Sequence, residues 1–155
     1  MLGFSPFDVF PAALFAHALL IHSWQRAPSV RAAALAGFWF GLGLFGAGVS
    51  WVFVSIHRFG GMPAPIAAFA TLAFCAFLAL FPALVGALQS RIPATAALRA
   101  TLVIPALWTL VEWLRSWILT GFPWLTAGYA AIDSPLAGFA PIGGVFLLSL
   151  ATLAG

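Results

Sequence analysis

Long apolar runs separated by short polar or Pro/Gly punctuation organise the whole chain. A membrane-spanning helix needs about 20 mostly apolar residues, and five runs are candidates: 9–24, 30–56, 64–88, 100–119 and 135–155. The first is short, and the second is long enough to tilt. The third contains Pro82, where a kink is expected. The pattern predicts an all-α polytopic transmembrane helical bundle of about five spans, the last cut short. Local signals at the run ends agree. Ser134 before Pro135 reads as an N-cap followed by proline at the first helical position. Gly121 reads as a C-terminal cap after Leu119 and Thr120, and Gly60-Gly61-Met62-Pro63 reads as a break and restart. No Arg, Lys or aromatic anchor closes the last run, and residues 4–8 resemble a loop between spans. The expectation is therefore an internal fragment of a larger protein.

Composition strengthens the membrane reading. Hydrophobic residues make up 64% of the chain and charged residues 6%, with a mean hydropathy of +1.13. A soluble domain carries about 25% charged residues, so the few here could not cover a soluble surface. The basic balance is no sign of nucleic-acid binding: the arginines are scattered between apolar runs, without a basic stripe. The lone Cys75 excludes an internal disulfide and a multi-cysteine metal site. The N-terminus lacks the cationic region of a signal peptide.

Arginine placement sets an expected orientation. Arg26 and Arg31 share a side with Arg91 and Arg99, whereas Arg58 and Arg115 lie towards the other. The larger set is expected to be cytoplasmic. The turn 57–63 and the segment 120–134 then face outward.

The outward segment holds the candidate chemistry. Glu112 and Arg115 place an acid and a base within an apolar run, at a cost of roughly 2.5–3.5 kcal/mol per group near a helix centre. On a helix, Trp108, Glu112, Arg115 and Leu119 fall within about 60° of one another, with Trp113 and Trp117 opposite. Glu112 and Arg115 can pair directly. Two readings follow: a self-neutralised pair packed between helices, or an Arg115 that meets a lipid phosphate while Glu112 orients it. Phe122, Pro123 and Trp124 follow at once, and Tyr129, Asp133 and Pro135 lie further along the same long connection. Trp124 alone is explained as an interfacial anchor. The length of the connection is better explained by a lip or re-entrant element.

Other polar or unusual positions carry blander expectations. Gly37, Gly41 and Gly48 share one face of the second run, continued by Trp51 and Ser55, and suit close helix packing better than ligand contact. Trp51 is an outside candidate for closing over an acyl chain. His17, His22 and His57 lack a metal-ligand spacing, and a hydrogen-bonded packing role is expected for His17. Cys75 sits in an apolar stretch and reads as a small hydrophobe.

In order along the chain, several segments resemble the membrane region of bacterial apolipoprotein N-acyltransferase. They are Phe4-Ser5-Pro6-Phe7-Asp8, the Gly41–Ile56 stretch, Phe59-Gly60-Gly61-Met62-Pro63, Pro105-Ala106-Leu107-Trp108, the Glu112–Trp124 stretch, and Ile132–Gly138 with Ala140–Gly144. The resemblance covers nearly all of residues 1–155 and implies a single N-terminal transmembrane region. It implies a parent enzyme of the bacterial inner membrane, without a cofactor. Its acyl donor is a membrane phospholipid, and its acceptor is the α-amino group of a diacylglyceryl-cysteine at a lipoprotein N-terminus. In that family the reaction runs through a cysteine thioester of a nitrilase-like domain, completed by a Glu and a Lys. Cys75 and Glu112 match none of these, so no catalytic residue carries over to this chain. Lipid contact is expected at Arg115, Phe122, Pro123, Trp124 and Tyr129, with Trp51 in reserve. The rival reading is a small stand-alone membrane scaffold without catalysis.

Overall fold

Residues 10–155 are described by the computed structural model, and among them every regular element is helical. Seven α-helices follow in order: α1 Phe10–Gln25, α2 Val30–Gly48, α3 Trp51–Val54, α4 Ala64–Gln89, α5 Ala96–Leu98, α6 Ile104–Arg115 and α7 Ala140–Ala154. A π-helical turn, Ser55–Phe59, extends α3, and another, Arg99–Val103, joins α5 to α6. Three 3-10 turns, Ile118–Thr120, Ala127–Ala131 and Pro135–Phe139, lie between α6 and α7.

Four segments are long and apolar enough to cross a membrane: Val30–Gly48, Ala64–Gln89, Ala96–Arg115 and Pro135–Ala154. Helix α1 has 16 described residues, or about 24 Å, against a hydrocarbon core of about 30 Å. The segment 4–8 lies outside the described residues.

The outer faces of these helices are greasier than their contacts. Phe15, Trp39, Phe69 and Leu72 are exposed, while Gly37, Gly41, Thr71 and Gln89 are buried. A bilayer, unlike water, accepts that distribution. Helices α2 and α4 pack most closely. Gly37 abuts the backbone of Pro82, and a Cβ on Gly41 would lie 2.9 Å from the Cα of Ala79. Gly86 reciprocates from α4, facing the Ala33 carbonyl, which also accepts the Trp24 indole N–H at 2.9 Å. Gly48 meets the side chain of Leu125 instead of a neighbouring helix.

Several run boundaries differ from the hydropathy reading. The second run is not one helix. It stops at Gly48, where Val49 leaves helical geometry (φ −119°, ψ 5°), and restarts at Trp51. Trp51 therefore does not continue the glycine face of α2. The fourth run begins at Ala96 and ends at Arg115 rather than Leu119. Leu119 has φ 49° and is exposed, so it does not share the face of Trp108, Glu112 and Arg115. Helix α4 passes through Pro82 unbroken, and α7 is interrupted at Gly143 and Gly144. Ser134 caps the turn after it by accepting Leu136 N–H at 3.2 Å.

Two contacts orient the bundle. Gln25 donates to the Ala96 carbonyl at 3.1 Å, which brings the α1–α2 and α4–α5 connections to one end. The rings of Trp51 and Trp124 lie 5.9 Å apart, which brings α3 and the segment after α6 together at the other.

Candidate functional site

The site is built on the inward face of α6. Ile104, Trp108, Val111, Glu112 and Arg115 recur at helical spacing and are all buried. Trp113 and Trp117 point outward, half exposed, with their rings edge to face at 5.4 Å. Two ionisable groups thus lie inside an apolar bundle, and each requires its own partners.

Glu112 and Arg115, read from the sequence as a direct pair, do not form an ion pair among the described residues. Glu112 Oε1 instead accepts the Trp108 indole N–H at 2.9 Å and the backbone N–H of Ala127 at 2.7 Å. Its Oε2 is buried without a partner. Arg115 turns to the segment that follows it in the chain. One of its terminal nitrogens donates to the carbonyls of Phe122 and Trp124, both at 2.6 Å. The guanidinium also lies 5.2 Å from the centre of the Phe45 ring, a cation–π distance. Arg115 is only 3% exposed. The side chain expected at a lipid headgroup therefore faces inward and holds backbone. A cavity of about 20 Å³ lies beside Glu112 and Arg115, room for about one water molecule.

Residues 118–126 form a lip folded back over the end of α6. Leu119, Thr120 and Gly121 all have positive φ, at 49°, 77° and 80°, and Leu125 follows at 57°. A β-branched residue in that region is rare. Such conformations cost on the order of 1–3 kcal/mol each at non-glycine residues and persist only when their surroundings hold them. The holding contacts are visible. Phe122 N–H donates to the Arg115 carbonyl at 2.9 Å, Thr126 hydroxyl to Pro123 O at 2.7 Å, and Arg115 grips the two carbonyls between. Charge-assisted bonds of this kind contribute about 1.5–3 kcal/mol each, the same order as the strain they oppose.

Beneath the lip runs a groove of about 310 Å³, between Phe74, Phe77 and Phe81 of α4 and the stretch Ile118–Phe122, with Arg115 at its wall. The Phe122 ring meets Phe74 edge to face at 5.1 Å. The rim beyond is aromatic: Trp124 lies beside Trp51, both about half exposed, whereas Tyr129, similarly exposed, sits on the following turn, which packs mainly against α7. Pro123 lies between the two carbonyls that Arg115 grips, and its own carbonyl accepts Thr126.

A family model described as Apolipoprotein N-acyltransferase N-terminal domain matches residues 1–155. The chain belongs to that family. It is 50% identical over 149 residues to the apolipoprotein N-acyltransferase of Nitrosomonas europaea, covering 96% of this chain and 30% of the relative. The protein of that name from Vibrio cholerae is 45% identical over 98% of this chain and 30% of its own length. The one from Methylococcus capsulatus is 48% identical over 99% and 31%. The chain thus spans about 30% of the length of these curated relatives.

Within this N-acyltransferase N-terminal domain, three residues that hold the site together had no sequence-level candidate role. Leu125 plugs against Gly48, Thr126 ties the lip to itself, and Ser149 of α7 accepts Gly128 N–H at 2.8 Å. Only Ser149 left a trace, as a lone hydroxyl in the run Leu147-Leu148-Ser149-Leu150. His17 is buried against Trp108 and Phe40 with Nδ1 2.8 Å from the Ala13 carbonyl. Cys75 is a buried free thiol. No cluster of three metal-ligating side chains occurs among the described residues.

Proposed function

We propose that this chain is the membrane part of an enzyme that moves an acyl chain from a membrane phospholipid to the α-amino group of a diacylglyceryl-cysteine at a lipoprotein N-terminus. Its share of the work is anchoring in the bacterial inner membrane and lipid access, and the reacting groups lie outside these residues. The observation that carries the reading is the lip itself: an aromatic rim of Trp51, Phe122 and Trp124 beside a largely apolar groove at one end of the bundle. Aromatic rings suit the depth where ester groups sit. Family membership makes the acyl-transfer context the natural one for that rim. Arg115 and Glu112 then act by positioning the lip rather than by touching the headgroup.

The test is acyl transfer to a diacylglyceryl lipopeptide from defined phospholipid vesicles, using the full-length gene product. Arg115→Ala and Trp124→Ala should slow turnover while leaving membrane insertion intact. Wild-type turnover by both variants sinks the proposal.

A further inference from the structure

We propose that the lip is a gate: Phe122–Trp124 swing about the left-handed stretch Leu119–Gly121, Arg115 latches them shut, and opening admits one acyl chain into the groove along α4. The inference rests on the lipid-access reading above and adds a moving part to it. Three independent features converge on this segment. The first is backbone conformation: Leu119, Thr120 and Gly121 are consecutive positive-φ residues, placed where the chain reverses after α6. A loop free to relax would not keep Thr120 there. The second is the latch. Arg115 comes from the rigid, buried face of α6, yet its donors go to Phe122 and Trp124, on the far side of the strained residues. A contact so placed opposes relaxation of the hinge between its ends. The third is what the segment covers. Phe122 closes against Phe74, and the groove behind it is bounded by α4 on one side and by the hinge residues on the other.

The occupant is an acyl chain because α4 is a span-length apolar helix, so the medium beside the groove is lipid. The α4 wall is phenylalanine and leucine, and Arg115, the cation at the opposite wall, is already engaged by the lip carbonyls. An element that is strained, latched by one side chain and seated over an apolar recess is bistable, and a ligand that fits only the open state shifts it.

The opposing roles give opposite signs. Thr120→Gly removes the conformational cost of the latched state and should hold the gate shut. Arg115→Gln weakens the latch and should let it open. The experiment uses the full-length gene product in vesicles containing a phospholipid with a photoactivatable diazirine on one acyl chain, with labelled residues mapped by mass spectrometry. Labelling of Leu78 and Phe81, which line the groove and are buried in the latched state, should fall about five- to thirtyfold in Thr120→Gly and rise in Arg115→Gln. A Phe74→Cys/Phe122→Cys pair in a Cys75→Ala background, joined by a short cleavable bis-thiol crosslinker, should abolish groove labelling until the crosslink is cleaved. Labelling at Trp51, which the latch does not hold, should be unchanged throughout. Groove labelling that is indifferent to Thr120→Gly and to the crosslink overturns the gate while leaving the lipid rim standing. No labelling at either rim or groove overturns both.

Discussion

Glu112 accepts the backbone N–H of Ala127 at 2.7 Å, so one carboxylate oxygen on α6 fixes the start of a 3-10 turn fifteen residues further along the chain. The same oxygen takes the Trp108 indole N–H. Removing the acceptor leaves two buried donors unsatisfied, each at about 1–3 kcal/mol. Glu112→Ala should therefore lower the thermal unfolding midpoint in detergent markedly, and Glu112→Gln, which keeps a carbonyl oxygen, should do so much less. Equal loss in the two variants would show that the acceptor is not what matters.

The glycines of α2 provide a test with an internal control. Gly37 and Gly41 face the backbone of α4, and any added Cβ there meets atoms that have no flexible end to move. Gly43 and Gly46, on the same helix, have nothing within 4 Å of the added atom. Gly37→Ala and Gly41→Ala should each cost about 1–3 kcal/mol through overpacking. Gly43→Ala and Gly46→Ala should be neutral, or slightly stabilising through helix propensity. Unfolding midpoints of the four variants, measured side by side, decide it.

Hydropathy made the long elements legible because a span must hide its backbone from lipid over a fixed length. That is why α4 and the end of α7 fall close to their runs, although α7 itself starts at Ala140, after a 3-10 turn. The breaks at Gly48–Ser50 and after Arg115 were not legible, because both lie in residues that are apolar enough to continue a helix. Where α2 ends, Gly48 packs against Leu125, which arrives from a distant segment. What draws the chain back over α6 is Arg115 gripping carbonyls seven and nine residues ahead. Helical spacing correctly put Glu112 and Arg115 on one buried face. It could not say that each would choose backbone partners over the other, because those partners exist only once the lip has folded.

His17 presents a different balance. Its Nδ1 has the Ala13 carbonyl, but Nε2 is buried with no partner, and the ring packs edge-on against Trp108 and Phe40. An orphaned buried polar atom is a cost that an aromatic hydrocarbon of similar shape lacks. His17→Phe should leave the unfolding midpoint unchanged or raised, and His17→Ala should lower it by opening a void. A midpoint that falls as far for Phe as for Ala would show that Nε2 has a partner contributing to stability.

Thr126 separates a polar tether from simple packing. Its hydroxyl donates to Pro123 O at 2.7 Å, and the residue is 1% exposed, so the bond is shielded from competing donors. Thr126→Ser keeps the hydroxyl and removes a methyl group, whereas Thr126→Val keeps the shape and removes the donor. If the tether matters, Val should free the lip more than Ser, by about 1 kcal/mol or roughly fivefold in local opening. Amide hydrogen exchange across residues 119–126 reads this directly, since faster exchange there with unchanged exchange in α4 marks a local release. A larger effect from Ser than from Val would assign the role of Thr126 to its methyl group and remove the hydroxyl from the account of how the lip is held.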